Sequence, residues 1–154
     1  MNDLTNAIDQ LSKQPPYFRC ILFVHPDIVQ LQKAASEVAA AFDCKVISIG
    51  SMLSHKALTA SRSRRASTIE RALRSEVLTP DSQLHLLVDI DYLFEPELSL
   101  DPLALLKSCS RNRTIVAAWP GNFDTTVLSY AVPNHAHYRT WPKPDLCDYC
   151  IQKL

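Results

Sequence analysis

Residues 20–42 read CILFVHPDIVQLQKAASEVAAAF, and the hydrophobic period changes inside this stretch. Cys20, Ile21, Leu22, Phe23 and Val24 form a continuous apolar run, the pattern of a strand buried on both faces. Pro26 suits the first turn of a helix. Residues 27–42 then place Ile28, Leu31, Ala34, Ala35, Val38 and Ala41 at helical spacing, which predicts a helix over the whole span. A buried strand that leads directly into an amphipathic helix is half of a βαβ unit, and it predicts a parallel sheet.

The same alternation extends in both directions. Leu4, Ala7, Ile8 and Leu11 mark a helix over 2–14, stopped by Pro15 and Pro16. Strands are predicted over 46–49, 84–90 and 114–119, and helices over 51–58, 66–78 and 102–109. Beyond Gly121 and Asn122 the pattern changes to two short strands, 126–131 and 147–152, separated by a loop containing Pro and His. No internal repeat, linker or low-complexity stretch interrupts the chain. The expected fold is a single α/β domain over 1–154, with a largely parallel sheet and helices on both faces.

Composition narrows the function classes. The chain has 154 residues, 47% hydrophobic and 21% charged, which excludes wholesale disorder. No apolar run reaches the roughly 20 residues needed to cross a bilayer, and the polar start MNDLTNAIDQLSKQ lacks a signal-peptide core. Five cysteines, an odd number, give no disulfide framework, so a reducing, cytoplasmic location is expected. Net charge is zero but unevenly spread. Between Lys45 and Thr79 seven basic residues face two acids, a net of +5, whereas from Asp81 to Asp101 there are six acids and no Lys or Arg.

In a doubly wound sheet, ligands bind beyond the carboxyl ends of the strands. The first strand–helix turn is Val24-His25-Pro26-Asp27, with no glycine, lysine or hydroxyl to wrap a phosphate. Asp27 is expected to cap the helix itself, placing negative charge where a phosphate would sit. The third strand ends in Asp89 and Asp91, the acidic pattern with which P-loop NTPases hold Mg²⁺, although such acids also serve as simple caps. Arg62, Arg64, Arg65, Arg71 and Arg74 form a basic segment suited to an acidic protein or to DNA phosphates, with no interleaved aromatics to stack bases. Arg111 and Arg113 precede the fourth strand, opposite the ligand end, and either act on a neighbouring subunit or close a helix terminus. Cys147 and Cys150 have zinc-type spacing, but His135-x-His137 is a poor second knuckle. The two cysteines read as opposite faces of the last strand, and no metal or catalytic residue is assigned.

Two strings carry a family resemblance: LFEPELSLDPLALLKSCSRNRTIVAAWPG at 93–121 and LSYAVPNHAHYRTW at 128–141. They resemble the C-terminal half of BrxF, the small P-loop protein of BREX anti-phage defence systems. Its members carry an acidic-proline stretch, DPL-x-LL, SRNRT, AAW-x-G, and then L-x-YA-x-P-x-H-x-x-YR. The specific part of the resemblance spans residues 86–141, and before it only the element order agrees. It implies a P-loop NTPase-like domain working with other defence proteins, among them a methyltransferase and a large ATPase; a homo-oligomer is left open by the sequence. Family members show a glycine-rich phosphate loop after the first strand, where this chain has the turn at 24–27. The combined reading is a degenerate P-loop, with Asp89 and Asp91 as remnants of the Mg²⁺ site and no nucleotide cofactor, retained for assembly or regulation. The alternatives are an ATP-dependent subunit with an unorthodox site and a DNA-binding module.

Overall fold

The computed structural model describes residues 2–56 and 61–154. Helix α1 (Asn2–Lys13) leads to strand β1 (Cys20–His25), helix α2 (Ile28–Ala41), strand β2 (Lys45–Ser48) and helix α3 (Ile49–Lys56). Helix α4 (Arg65–Val77), strand β3 (Leu84–Val88), helix α5 (Pro102–Cys109) and strand β4 (Thr114–Asp124) follow. The chain ends with β5 (Val127–Tyr130), β6 (Arg139–Pro142) and β7 (Ile151–Lys153).

The sheet runs β2-β3-β4-β1-β7, with every pair along that path parallel. From β1 the chain crosses to the far edge at β2 and returns through β3 to β4, beside its starting point. Alternation along the buried strands sends side chains to two layers. Ile21 and Phe23 of β1, Leu86 of β3 and Val116 of β4 pack under α1 and α2. Leu22, Leu87, Ala117 and Trp119 point the other way, under α3, α4 and α5. The α/β class and the mostly parallel sheet with helices on both faces are therefore as expected.

The departures have local causes. The third strand stops at Val88 because Asp89 adopts a left-handed conformation (φ 54°), after which Ile90–Phe94 wind as a 3₁₀ turn. The second strand gives way to α3 at Ile49, earlier than expected, and Ala57 and Leu58 of the predicted 51–58 helix lie outside the described residues. Strand β4 runs on to Asp124 because its second half pairs antiparallel with β5, which then pairs with β6. Strand β6 was not expected: four residues, Arg-Thr-Trp-Pro, are too short for a periodic signal, and their pairing comes from β5. At the end of the chain, Asp148–Cys150 form a 3₁₀ turn and only 151–153 extend. Cys147 and Cys150 are thus not opposite faces of a strand. The Cys150 amide donates to the Cys147 carbonyl at 2.8 Å within the turn. Cys150 is buried, and its thiol is pushed up to about 12 by desolvation and then by Cys147.

Candidate functional site

The β1–α2 turn closes on itself. The Asp27 amide donates to His25 Nδ1 at 2.9 Å, and the Val29 amide donates to Asp27 Oδ1 at 2.9 Å. Two of the amides that an anion at this helix terminus would use are therefore taken by the chain's own side chains, one of them a carboxylate.

Beside that turn, at the carboxyl ends of β2, β3 and β4, lies a crevice of about 480 Å³. Ile28, Leu31 and Ala35 of α2 form one wall, and Val88, Ala118 and Pro120 form its floor. Asp89, Asp91 and Tyr92 form the facing side. Pairing of Ser48 with Val88 brings β2 up to the next residue of β3. There the Ser48 hydroxyl donates to Asp89 Oδ2 at 2.7 Å and accepts from the Ser51 amide at 3.3 Å. Asp89 precedes a 3₁₀ turn but makes no side-chain cap bond, so its carboxylate serves the crevice and not the turn. Burial, reinforced by the charges of Asp89 and Glu95, pushes the Asp91 carboxyl above its ordinary range, against a hydrogen bond at its own backbone. Two large exposed side chains line the crevice, Ile28 (53% exposed) and Tyr92 (50%). Among the described residues no cation lines the crevice, and the ion pairs, Lys45 with Glu76 and Asp81 and Lys107 with Asp145, lie elsewhere.

Helix α4 carries the basic segment and runs antiparallel to the strands. Lys45, at the start of β2, bonds the Glu76 carbonyl and carboxylate near the end of α4. The N-terminus of α4 therefore lies at the crevice end of the sheet. Arg62 falls in the 3₁₀ turn Arg62–Arg64 that leads into it. Arg64 and Arg71 are exposed, Arg65 is half-buried with its Nε unpartnered, and Arg74 donates to Ser108 Oγ at 2.8 Å. Lys45, counted with this block in the sequence, is neutralised at the opposite end. Arg111 and Arg113 also lie at that opposite end. Arg111 stacks over Tyr17 at 5.0 Å, and Arg113 donates to the Asn112 carbonyl at 3.2 Å. The structure thus gathers Asp89, Asp91, Arg64 and Arg65 at one end and leaves Arg111 and Arg113 at the other.

Sequence reasoning missed Ser48, Tyr92 and Ile28 as crevice residues, because strand register brings Ser48 to Asp89 and periodicity gives no register. It also missed His85. This residue of β3 is fully buried, and neither ring nitrogen has a partner. Desolvation, then Lys45 and Arg113, hold it below its ordinary 6.5, with Asp81 opposing. A depressed folded value means that the unfolded chain takes up the proton first. The stability contributed by neutral His85 is present above about pH 6.5 and is lost as pH falls through the folded value. Melting temperature should therefore decline on acidification below 6.5, and His85→Leu should flatten that decline. Parallel slopes for the two proteins would show that His85 is not the group responsible.

The two strings 93–121 and 128–141 meet in one cluster. Phe94 stacks on Tyr130 (3.8 Å between centroids) and contacts Trp119 edge-on at 5.0 Å, and Trp119 contacts Trp141 at 5.2 Å. Trp141 Nε1 donates at 3.1 Å to Asp101, which caps α5 through the Ala104 amide. Arg139 bonds the Leu100 carbonyl at 2.8 Å and lies over the Trp141 ring. These residues fasten the β4–β5–β6 ribbon to the sheet. Among the described residues no helix is long and apolar enough to cross a membrane, and no His, Cys, Asp or Glu side chains converge in a metal-binding group. Compared with protein families, curated proteins and solved structures, the chain has no match.

Proposed function

We propose that this chain is a non-catalytic, P-loop NTPase-like accessory subunit of a BREX-type phage-defence system, acting in assembly or regulation with other proteins of that system. The strand order supports the P-loop-like part, because it leaves a crevice at the carboxyl ends of the strands, where doubly wound proteins bind nucleotides. Asp89, which follows β3 and accepts from Ser48 of the neighbouring strand, supports the same reading, because P-loop NTPases hold Mg²⁺ through an acid after such a strand. The observation that carries the non-catalytic part is the β1–α2 turn. His25 and Asp27 take two of its amides, and no glycine or lysine supplies a phosphate cradle. A subunit of this kind contributes surfaces, and its partners are proteins. Removing the chain from a host that carries the whole defence cluster should raise phage plating efficiency at least tenfold, with restoration by the intact chain. Unchanged restriction without the chain would overturn the functional assignment.

A further inference from the structure

The crevice has the wrong charge for a phosphate and the right one for a cation. Two carboxylates, Asp89 and Asp91, line it, and Glu95 stands close enough to Asp91 to raise its pKa. The rest of the lining mixes apolar side chains such as Ile28 and Leu31 with the polar Gln32, Ser48 and Ser51, and it includes the half-exposed Tyr92 ring. The complement of such a cleft is a guanidinium on an aliphatic stem. The stem packs on apolar surface while the planar head bonds carboxylate and stacks on an aromatic ring.

The chain carries that complement itself. Arg64 is the residue just before α4 and Arg71 lies two turns further along, near the middle of the helix, so the two fall close to one helical face about 10 Å apart along its axis. Both are exposed, and among the described residues neither joins an ion pair. The start of α4 lies at the same end of the sheet as the crevice. Acidic cleft and basic helix start therefore share one end of the molecule as separate patches of opposite sign. Two patches of that kind on one surface are self-complementary about a two-fold axis, with each molecule's basic patch meeting the other's acidic one.

We infer that this chain pairs with a second copy of itself, the Arg64–Arg71 face of each α4 docking at the Asp89–Asp91 crevice of the other. The inference rests on the functional reading in one respect, that the crevice holds no nucleotide. The exposed Ile28 and Tyr92 at the crevice are covered in the pair, and charge sets its register.

Sedimentation velocity of the full chain at tens of micromolar and low salt should give the mass of a dimer. The dissociation constant should rise at least tenfold between 50 and 500 mM NaCl, because salt shortens the Debye length from about 10 Å at 0.1 M towards about 3 Å at 1 M and screens the attraction between the two charged patches. Arg64→Glu/Arg71→Glu and Asp89→Lys/Asp91→Lys should each sediment as monomers, because every contact in either homodimer is then repulsive. Mixing the two variants should restore the dimer, since both contacts of the mixed pair are attractive. If the lysine variant does not fold by circular dichroism, Asp89→Asn/Asp91→Asn replaces it and should weaken the parent dimer at least tenfold. A monomeric parent, a dimer indifferent to these changes, or a mixture of folded variants that stays monomeric would overturn the inference. A dimer that ATP·Mg²⁺ dissociates would instead overturn the functional reading. Salt-sensitive binding of DNA by a monomeric parent would assign the basic face to a different partner and likewise reject the pairing.

Discussion

Trp119→Ala should cost about 4 kcal/mol of folding stability, within the range for emptying a large aromatic site in a core. Trp119 is fully buried on the side of the sheet that faces the β5–β6 ribbon. Its ring meets Phe94 and Trp141 edge-on, and Nε1 donates to the Ser129 carbonyl at 2.9 Å. Truncation leaves a cavity between sheet and ribbon and removes that hydrogen bond, itself a loss of about 1 kcal/mol. Trp119→Phe keeps a ring and should lose about half as much. Equilibrium urea unfolding monitored by circular dichroism measures both. A loss below about 1.5 kcal/mol for the alanine variant would mean that the ribbon is not fastened through Trp119.

The two glycines should respond very unequally. At Gly121 an added Cβ runs into the Ser129 carbonyl oxygen and comes within 2.8 Å of its carbon, on backbone paired in the β4–β5 ladder. Neither strand can move without opening the hairpin, so Gly121→Ala should cost about 3 kcal/mol, the upper end for forced overpacking. At Gly50 the Cβ meets only the Tyr92 ring, 2.8 Å from Cε2, and the obstacle is a half-exposed side chain instead of paired backbone. Gly50→Ala should therefore change stability by less than about 1 kcal/mol, helped by the better helix propensity of alanine in α3. Similar losses at both positions would contradict the distinction between backbone and side-chain obstruction.

The parallel sheet was legible because each crossover begins with an apolar run and continues with a helical stripe. Residues 102–109 were bounded correctly at both ends, where Asp101 caps α5 and Ser110 terminates it. The limits of that reading are equally physical. Asp89 ends β3 by turning left-handed, a conformation uncommon outside glycine but more accessible to Asp and Asn than to most residues, and written in no period. Strand β6 exists because β5 offers it an edge, a long-range fact. Half of the candidate site, Asp89, Asp91 and the Asp27 cap, could be read from types and positions. The other half, Ser48 under Asp89 and Tyr92 over Gly50, depends on register and on how α3 packs against the Ile90–Phe94 turn. The charge blocks misled in one respect. They are contiguous in sequence, but Lys45 lies at the far end of the sheet, paired with Glu76 and Asp81.

Isothermal titration of the purified chain with ATP·Mg²⁺, run beside a melting scan, bears most directly on the closed turn. With His25 and Asp27 holding two of the amides at the start of α2, and Asp27 contributing a negative charge there, neither heat of binding nor a rise in melting temperature is expected at micromolar nucleotide. Saturable micromolar binding that raises the melting temperature by several degrees, and that disappears in Asp89→Ala, would contradict a crevice closed to phosphate.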